Sequence, residues 1–370
     1  MDIHQQYGLT TVINARGTFT PLGVSRSSVG VGRAVAQALG EFLVIDELQA
    51  VLSRSVAEMT GAEAGTLTHC ATAAITLSVA ATMTGTDPAR IAALPDVGAM
   101  PNRVVLPAAH AVDYGHPLLT DIRLAGATPV LAGTAESCSI ADIDAALAQP
   151  GTACLLLVSS RLVAGRPLSL EAAVAAAHGR GVPAIIDAAA QDLRIEPLLA
   201  TGADLVLFSA QKYLAGPTAG LIVGHRQLVQ ACRAQEGGIG RAMKASKEAI
   251  IGVLAALAER RQTDLSSWVR EQQQKVAWFI EQANRLPHID ATAVPDPTGM
   301  PFSRVRLTVA PVGERCDAVA LAAALRSGTP PVWLMEQEAA AGRLVLELVP
   351  LRGEEMRLII DRISASIPAD

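Results

Sequence analysis

The chain of 370 residues reads as an α/β protein. It should hold a mostly parallel, seven-stranded, doubly wound sheet between helices, followed by a smaller C-terminal α+β domain. Three observations predict this. Strand-like and helix-like segments alternate from about residue 65 to residue 210. The strand-like runs, such as "TACLLLVSS" and "VPAIIDAAAQ", are continuously apolar rather than alternating, as strands covered on both faces must be. Late in the chain the text changes to "SRVRLTVA", "PVWLME" and "RLVLELV", set around two further helices.

Each element follows from its local pattern. From about Ser27 to Gly61 the spacing is helical, with Val35, Leu39, Leu43, Leu48, Val51 and Leu52 on one face. "TLTHCATAAITLSVAATMTG" gives a short strand, a turn at His69-Cys70 and an alanine-rich helix. "RVVLPAAHA" is a buried strand ending at His110, "GHPLLTDIRLAGA" a helix and "TPVLAG" the next strand. In "SIADIDAALAQ", Ser139 and Asp142 stand at capping-box spacing and open a helix. "TACLLLVSS" is a strand, and "SLEAAVAAAHGRG" a helix stopped by glycine. "VPAIIDAAAQ" is a strand and "DLRIEPLLATG" a short helix. "DLVLF" and "GLIVG" are too close for a crossover helix, so that pair should be antiparallel. A long helical region from about Ala242 to Leu286 breaks near "RQTDLSS". "RCDAVALAAALRSG" and "GEEMRLIIDRISASI" are the helices of the last domain. The expected division is an N-terminal segment over 1–45, packing on the small domain or on a partner subunit, a large domain over 46–245, and the long helix with the small domain over 246–370.

Composition narrows the function. Half of the chain is hydrophobic and 18% is charged, which is a compact globular balance. The net charge is -5, aromatics are only 3% and there is no basic tract, so no nucleic-acid partner is expected. Cys70, Cys138, Cys154, Cys232 and Cys316 are scattered, odd in number and without a CxxC pair, as in a reducing cytosol. "MDIHQQYGLTTVIN" has no basic segment leading into an apolar one, and the apolar runs are short. A cytoplasmic protein with no membrane partner is expected. No histidine pair has metal-ligand spacing, so no metal is expected. The apolar excess calls for a large core or a large subunit face.

In open α/β sheets, ligands bind beyond the carboxyl ends of the strands. His69, Cys70, Ala71 and Thr72 follow the first strand, His110 the second and Ser159-Ser160 a later one. Asp187 ends "PAIID", and Ser209 and Lys212 follow "DLVLF". Small residues at a helix N-terminus present free N–H groups that suit a phosphate. A carboxylate at a strand end can hold a protonated ring nitrogen, and a lysine can form a Schiff base with an aldehyde. Phosphate, ring nitrogen and aldehyde together describe pyridoxal 5'-phosphate (PLP). Twenty-five positions separate Asp187 from Lys212, room for one helix and one strand. Taken singly these residues have ordinary readings: Lys212 a loop lysine, Asp187 a helix cap, His110 a strand-end histidine bonded to backbone, His69 and Cys70 turn residues. His116, His178 and His225 read as surface residues. Arg241 and Lys244 read either as a solvated face or as anion ligands, and Arg16 is a candidate for a substrate carboxylate. "GVGRAV" and "GGIGRAM" do not follow a strand with the third glycine in place and are not dinucleotide fingerprints.

The text also resembles the selenocysteine synthase-like group of fold-type-I PLP-dependent enzymes. The similarity runs through "VINARGTFTPLG", "MTGAEAGTLTHCATAA", "RLAGATPVLAG", "GVPAIIDAAAQ", "GADLVLFSAQKYLAGPTAGLIVG", "GIGRAMKASKEAIIGVLAAL" and "LRSGTPPV". It implies a PLP-dependent transferase-like fold with Lys212 carrying the cofactor, Asp187 at the pyridine nitrogen, Ala189 under the ring and His110 stacked above. It also implies Cys70, Ala71 and Ser209 at the phosphate, with His69 nearby, and an active site at a homodimer interface. The chain departs from the group at His69-Cys70, at Ala210 two residues before the lysine, and at "ELVPL", which lacks an arginine. With "VINARG" at residues 12–17, the selenium transferase's extra N-terminal tRNA-contacting region is not expected here.

The function this implies is a PLP-dependent lyase performing an ammonia-lyase type α,β-elimination on a small β-hydroxy or amino-sugar-acid type amino acid. Lys212 would take the α-proton to give a carbanion. A racemase or epimerase needs the same carbanion and a second acid, for which His110 or His69 would serve. A selenium transferase and a degenerate PLP-fold sensor are the remaining readings.

Overall fold

A computed structural model describes residues 2–311 and 317–367 of the chain. Cys316 and the start of the expected helix "RCDAVALAAALRSG" lie outside the described residues. The chain forms two compact units, Ser27–Gln262 and Met1–Arg26 with Thr263–Asp370. The sequence pointed to divisions at 45/46 and 245/246. The difference has a packing cause. Helix Val29–Leu39 and helix Lys247–Gln262 pack on each other: a Cβ on Gly252 would come within 2.7 Å of Val35 and 2.3 Å of Pro217.

The unit Ser27–Gln262 is built on strands β1 (Ala64–Thr68), β2 (Arg103–Pro107), β3 (Thr128–Ala132), β4 (Thr152–Val158), β5 (Ala184–Asp187), β6 (Leu205–Ser209) and β7 (Gly220–Gly224). They form one seven-stranded sheet in the order β1-β7-β6-β5-β4-β2-β3. The pairs β2–β3, β2–β4, β4–β5 and β5–β6 are parallel. β7 runs antiparallel to both β6 and β1. β1 therefore runs with β6, and the carboxyl ends of β1 to β6 share one edge. The strand order reverses between β2 and β4, which opens a crevice at that edge.

The continuous apolar runs have a direct cause. Alternate residues of each strand feed opposite cores. On one face Val105, Leu155, Leu157, Ile186, Val206 and Phe208 pack beneath helices Ile45–Thr60, Ile140–Leu147, Leu170–Gly179 and Lys247–Gln262. On the other, Val104, Leu106, Leu156, Ile185, Leu205 and Leu207 pack against Ala71–Thr84, Leu118–Leu124 and Arg226–Ala234. Helix Ala71–Thr84 is buried almost throughout, which is why it is built from alanines and small hydroxyls. Thr84 returns its hydroxyl to Ala80 O at 3.1 Å, satisfying a buried donor. The capping box forms at Ser139: its hydroxyl accepts from Asp142 N at 3.2 Å, and Asp142 accepts from Ser139 N at 2.8 Å. β3 is an edge strand and tolerates Pro129.

One apolar stripe is corrected. The helical region from Ser27 to Gly61 is two helices, Val29–Leu39 and Ile45–Thr60, parted after Gly40. The break spoils the common register, so Leu39 and Val51 are 59% and 41% exposed, and Val31, Ala38 and Val56 take inward places beside Leu48 and Leu52.

The other unit holds an antiparallel sheet of Ile289–Pro295, Ser303–Val309 and Arg343–Leu346, with Ser303–Val309 in the centre. Near the start of the chain Ile13–Asn14 pairs in parallel with Val332–Trp333. Helices Leu265–Ala283, Ala318–Ser327 and Gly353–Ser366 supply Phe279, Leu325 and Ile359 to its core. The buried Arg304 bridges Asp296 at 2.7 Å and Glu347 at 3.4 Å. Gly17 has φ +80°, and a Cβ there would lie 2.4 Å from the Glu347 carboxyl, so the turn of "NARG" needs glycine.

Phe208 is fully buried in the centre of the large sheet. Phe208→Ala should lower the stability of that unit by about 3–5 kcal/mol, through lost transfer energy and a residual cavity. Denaturant titration followed by circular dichroism would measure it.

Candidate active site

The shared strand edge collects the chemically capable residues of the larger unit. β1 ends at Thr68, and the chain turns through the exposed His69 and half-buried Cys70 into helix Ala71–Thr84. Cys70 sits at the N-cap with no side-chain cap, so the first N–H groups of the helix stay open toward an anion. The turn is fixed from two sides. The Thr68 hydroxyl donates to Cys70 O at 2.9 Å, and His69 N donates to Met243 O at 2.7 Å. Gly220, paired with both Thr68 and Ser209, passes so close that a Cβ would lie 2.3 Å from Cys70 O. Lys244 bridges Thr68 through its backbone, so the "RAMK" segment edges this turn, with Arg241 and Lys244 themselves exposed.

Asp187 ends β5 with 5% exposure. One of its oxygens accepts from Ala189 N at 3.1 Å. Ala189 O in turn accepts from Ser209 N at 3.0 Å, tying the ends of β5 and β6 together. Burial pushes the Asp187 carboxyl up to about 6, against the pull of Lys212. Lys212 sits in a tight loop after β6. Its N–H donates to Ser209 O at 3.2 Å, Gly216 N donates to Ala210 O at 2.9 Å, and Ala215 takes φ +55°. Pro217 then rests on Gly252. Burial lowers the Lys212 ammonium, opposed by Asp187 and Asp192.

His110 closes β2 on a single turn and is 4% exposed. Its Nδ1 accepts from Val158 N at 2.8 Å, at the end of β4. That bond leaves the ring proton on Nε2, and burial pushes His110 down to about 4, so it is neutral at pH 7. His110 spans the crevice between β2 and β4. The structure thus brings His69, Cys70, Ala71, His110, Asp187, Ala189, Ser209, Lys212 and the backbone of Lys244 to one edge. Arg16 lies in the other unit, with its guanidinium 4.0 Å over the Phe19 ring.

Two clusters were missed. His116 does not sit free on the surface. It bonds the fully buried Asp121 at 2.6 Å, and Tyr114 donates its hydroxyl to the same carboxyl. Burial raises the Asp121 carboxyl, and also raises Tyr114, whose hydroxyl meets Thr72 in the first turn of helix Ala71–Thr84. In "LLTDIRL" Asp121 reads as an ordinary helix-surface acid. Asp192, in "QDLR", reads as a helix start, yet it is 2% exposed, and burial pushes its carboxyl up to about 7 against the pull of Arg260. His178 and His225 do lie near the surface, sharing Asp204 at 2.9 and 3.1 Å.

Residues 122–286 match the family model of L-seryl-tRNA selenium transferase. D-glucosaminate-6-phosphate ammonia lyase of Salmonella typhimurium is 35% identical over 98% of this chain and 97% of its own length. A 5'-C-glycyluridine monooxygenase-decarboxylase of a Streptomyces species is 33% identical over 97% of this chain and 90% of its own. The solved structure of D-glucosaminate-6-phosphate ammonia-lyase superposes with a TM-score of 0.88 at 34% identity, covering 99% of this chain and 98% of that one. The chain belongs to the selenocysteine synthase-like group of fold-type-I PLP-dependent enzymes.

As a member of that group it is an enzyme, and its cofactor is PLP. The edge fits that group. The uncapped helix start suits the phosphate, the Asp187 carboxyl has one oxygen not held by Ala189, and Lys212 is an amine near enough to Asp187 to feel its charge. Among the described residues, no group of three or more His, Cys, Asp or Glu is placed to hold a metal ion, and no helix is long and apolar enough to cross a membrane.

The raised Asp187 carboxyl has a signed consequence. Its folded value lies above the unfolded 3.8, so its contribution to stability is full below about 4 and is lost as pH rises through about 6. With cofactor removed, Asp187→Asn should therefore melt several degrees above the wild type at pH 8, and the gap should close near pH 4. Thermal scans at the two pH values would check it.

Proposed function

We propose that the protein is a PLP-dependent ammonia-lyase that eliminates a β-hydroxyl from a small β-hydroxy or amino-sugar-acid type amino acid. The observation that carries this is the pairing of half-buried Lys212 with buried Asp187 at the carboxyl edge, beside an uncapped helix start. The relative and the solved structure named as D-glucosaminate-6-phosphate ammonia-lyase support the reaction class.

PLP, when bound through Lys212, supplies an electron sink for negative charge at the substrate α-carbon. Asp187 would hold the ring nitrogen protonated, and Cys70, Ala71 and Ser209 would hold the phosphate, with His69 near it. Ala189 would pack against one face of the ring, and His110, neutral and held by Val158, against the other without adding a second cation. Lys212 would take the α-proton, for which a lowered ammonium is suited. That proton would leave with the β-hydroxyl as water, and one water would be taken up again when the released enamine tautomerises to an imine and hydrolyses, giving a 2-oxo acid and ammonia. Arg16, Arg241 and Lys244 are the cations proposed for the substrate's anionic groups. A cytoplasmic homodimer is the proposed form. Val29, Leu39, Phe42, Val44 and Ile45 are all exposed, and a second copy would cover them.

The Streptomyces relative is named for a different reaction at nearly equal identity, so oxygen uptake and carbon dioxide release form the second readout. Mixing the holoenzyme with D- and L-amino acids, hydroxylated and phosphorylated ones included, should release ammonia. Exchange of the α-hydrogen without ammonia would replace the lyase with a racemase. Borohydride should trap the cofactor on the wild type, and Lys212→Ala should lose that adduct and at least about 10³-fold of turnover.

A further inference from the structure

The smaller unit fixes Arg16 at both backbone and side chain. Ala15 N donates to Trp333 O at 2.7 Å, and Glu347 N donates to Ala15 O at 2.9 Å, so the "NARG" turn is laced to two later segments of that unit. Asn14 closes the turn. Its Oδ1 accepts from Arg16 N at 3.0 Å, and its Nδ2 donates to Gly17 O at 2.8 Å. The side chain ends on a row of rings. The Arg16 guanidinium lies 4.0 Å from the Phe19 ring centroid, the Phe19 and Trp333 rings are 5.9 Å apart, and the Arg326 guanidinium lies 3.5 Å over Trp333. The two arginines then differ. Arg326 is paired with Glu336. Among the described residues the Arg16 guanidinium enters no ion pair and closes no hydrogen bond, and its Nε is buried without a partner. Glu347, packed against Gly17, is bridged to Arg304 instead.

A guanidinium stacked on a ring has one face covered and its in-plane N–H fork open. That fork matches a carboxylate, which accepts two parallel bonds from it. We propose that Phe19 is a positioning residue for Arg16, presetting its guanidinium to hold the substrate's carboxylate by both oxygens. The inference rests on the proposed reading of an amino-acid substrate. It deepens that reading by separating Arg16 from the other two cations and by naming what aims it. Arg241 and Lys244 are exposed, and among the described residues no ring holds either of them. Flexible cations of that kind lose more side-chain freedom on gripping an anion than a stacked arginine does.

The test uses the holoenzyme, with serine and serinamide as probes, each in D and L form. The cofactor's visible absorbance reports their binding, and the amide keeps the amine and the hydroxyl but has no carboxylate. The readout is the ratio of half-saturating concentrations, amide over acid, from which a general loss of binding competence cancels. Arg16→Gln should lower that ratio about 10-fold or more. Phe19→Leu keeps apolar bulk but removes the ring, and should lower it about 3-fold or more. Phe19→Tyr should stay within about 2-fold of the wild type. On the Arg16→Gln background Phe19→Leu should lower the ratio no further, because its effect passes through the guanidinium. A ratio unmoved by Phe19→Leu, or lowered equally with and without Arg16, overturns the proposal. If Phe19→Leu does not fold, Phe19→Met is read by the same ratio. No absorbance response to any of the four probes, or failure of borohydride to trap the cofactor on wild-type Lys212, would sink the parent reading and this one with it. An intact response whose ratio ignores Phe19 sinks this one alone.

Discussion

The site depends on holding one half-buried amine near a carboxylate that is itself out of water. Desolvation weakens the charge on both kinds of group, while each stabilises the charge of the other. Lys212 and Asp187 are held in that balance, each shifted by burial first and by the other second, while the buried Asp192 carboxyl is shifted by burial first and by Arg260 second. Such a set is poised for proton transfer because neither the paired-ion state nor the neutral state is far uphill. Open to solvent, the same three residues would be an ordinary surface ion cluster.

The scaffold exists to enforce that burial. Asp187 and Lys212 come from neighbouring parallel strands, so the sheet's hydrogen bonds set their separation. The antiparallel return through β7 lets Gly220 lie between the ends of β1 and β6, close enough that any side chain there would push the helix start away. Gly252 does the same at the back of the lysine loop by admitting Pro217. Two glycines thus locate the anion cradle and the amine from opposite sides. Neither touches the chemistry.

Much of this arrangement is legible in sequence. A continuous apolar strand announces itself, and the polar residue that ends it marks a functional edge whatever the chain does elsewhere. Asp187, Ser209, Lys212 and His110 are visible for that reason. Asp121 and Asp192 are not. Each lies in a helical segment where an acid is normally solvated: Asp121 is met by Tyr114 and His116 from the turn just before its own helix, and Asp192 by Arg260 of the distant helix Lys247–Gln262. The same limit hid the unit boundary. Whether helix Val29–Leu39 belongs with the segment before it or with Lys247–Gln262 is decided by the Val35–Gly252 approach, which no local pattern records.

The pairing of Ile13–Asn14 with Val332–Trp333 has a consequence for how the chain is made. The smaller unit takes its first strand from the beginning of the chain and nearly everything else from the end. At ribosomal speeds of about 5–20 residues per second, the N-terminal segment waits roughly 15–60 s for its partner strand to be synthesised. Throughout that interval Ile13 and Ala15, buried in the finished unit, have no core to enter. The larger unit, contiguous from Ser27 to Gln262, can fold meanwhile, so assembly runs from the middle of the chain outward. Ile13–Asn14, made long before Val332–Trp333, is thus among the last segments to settle.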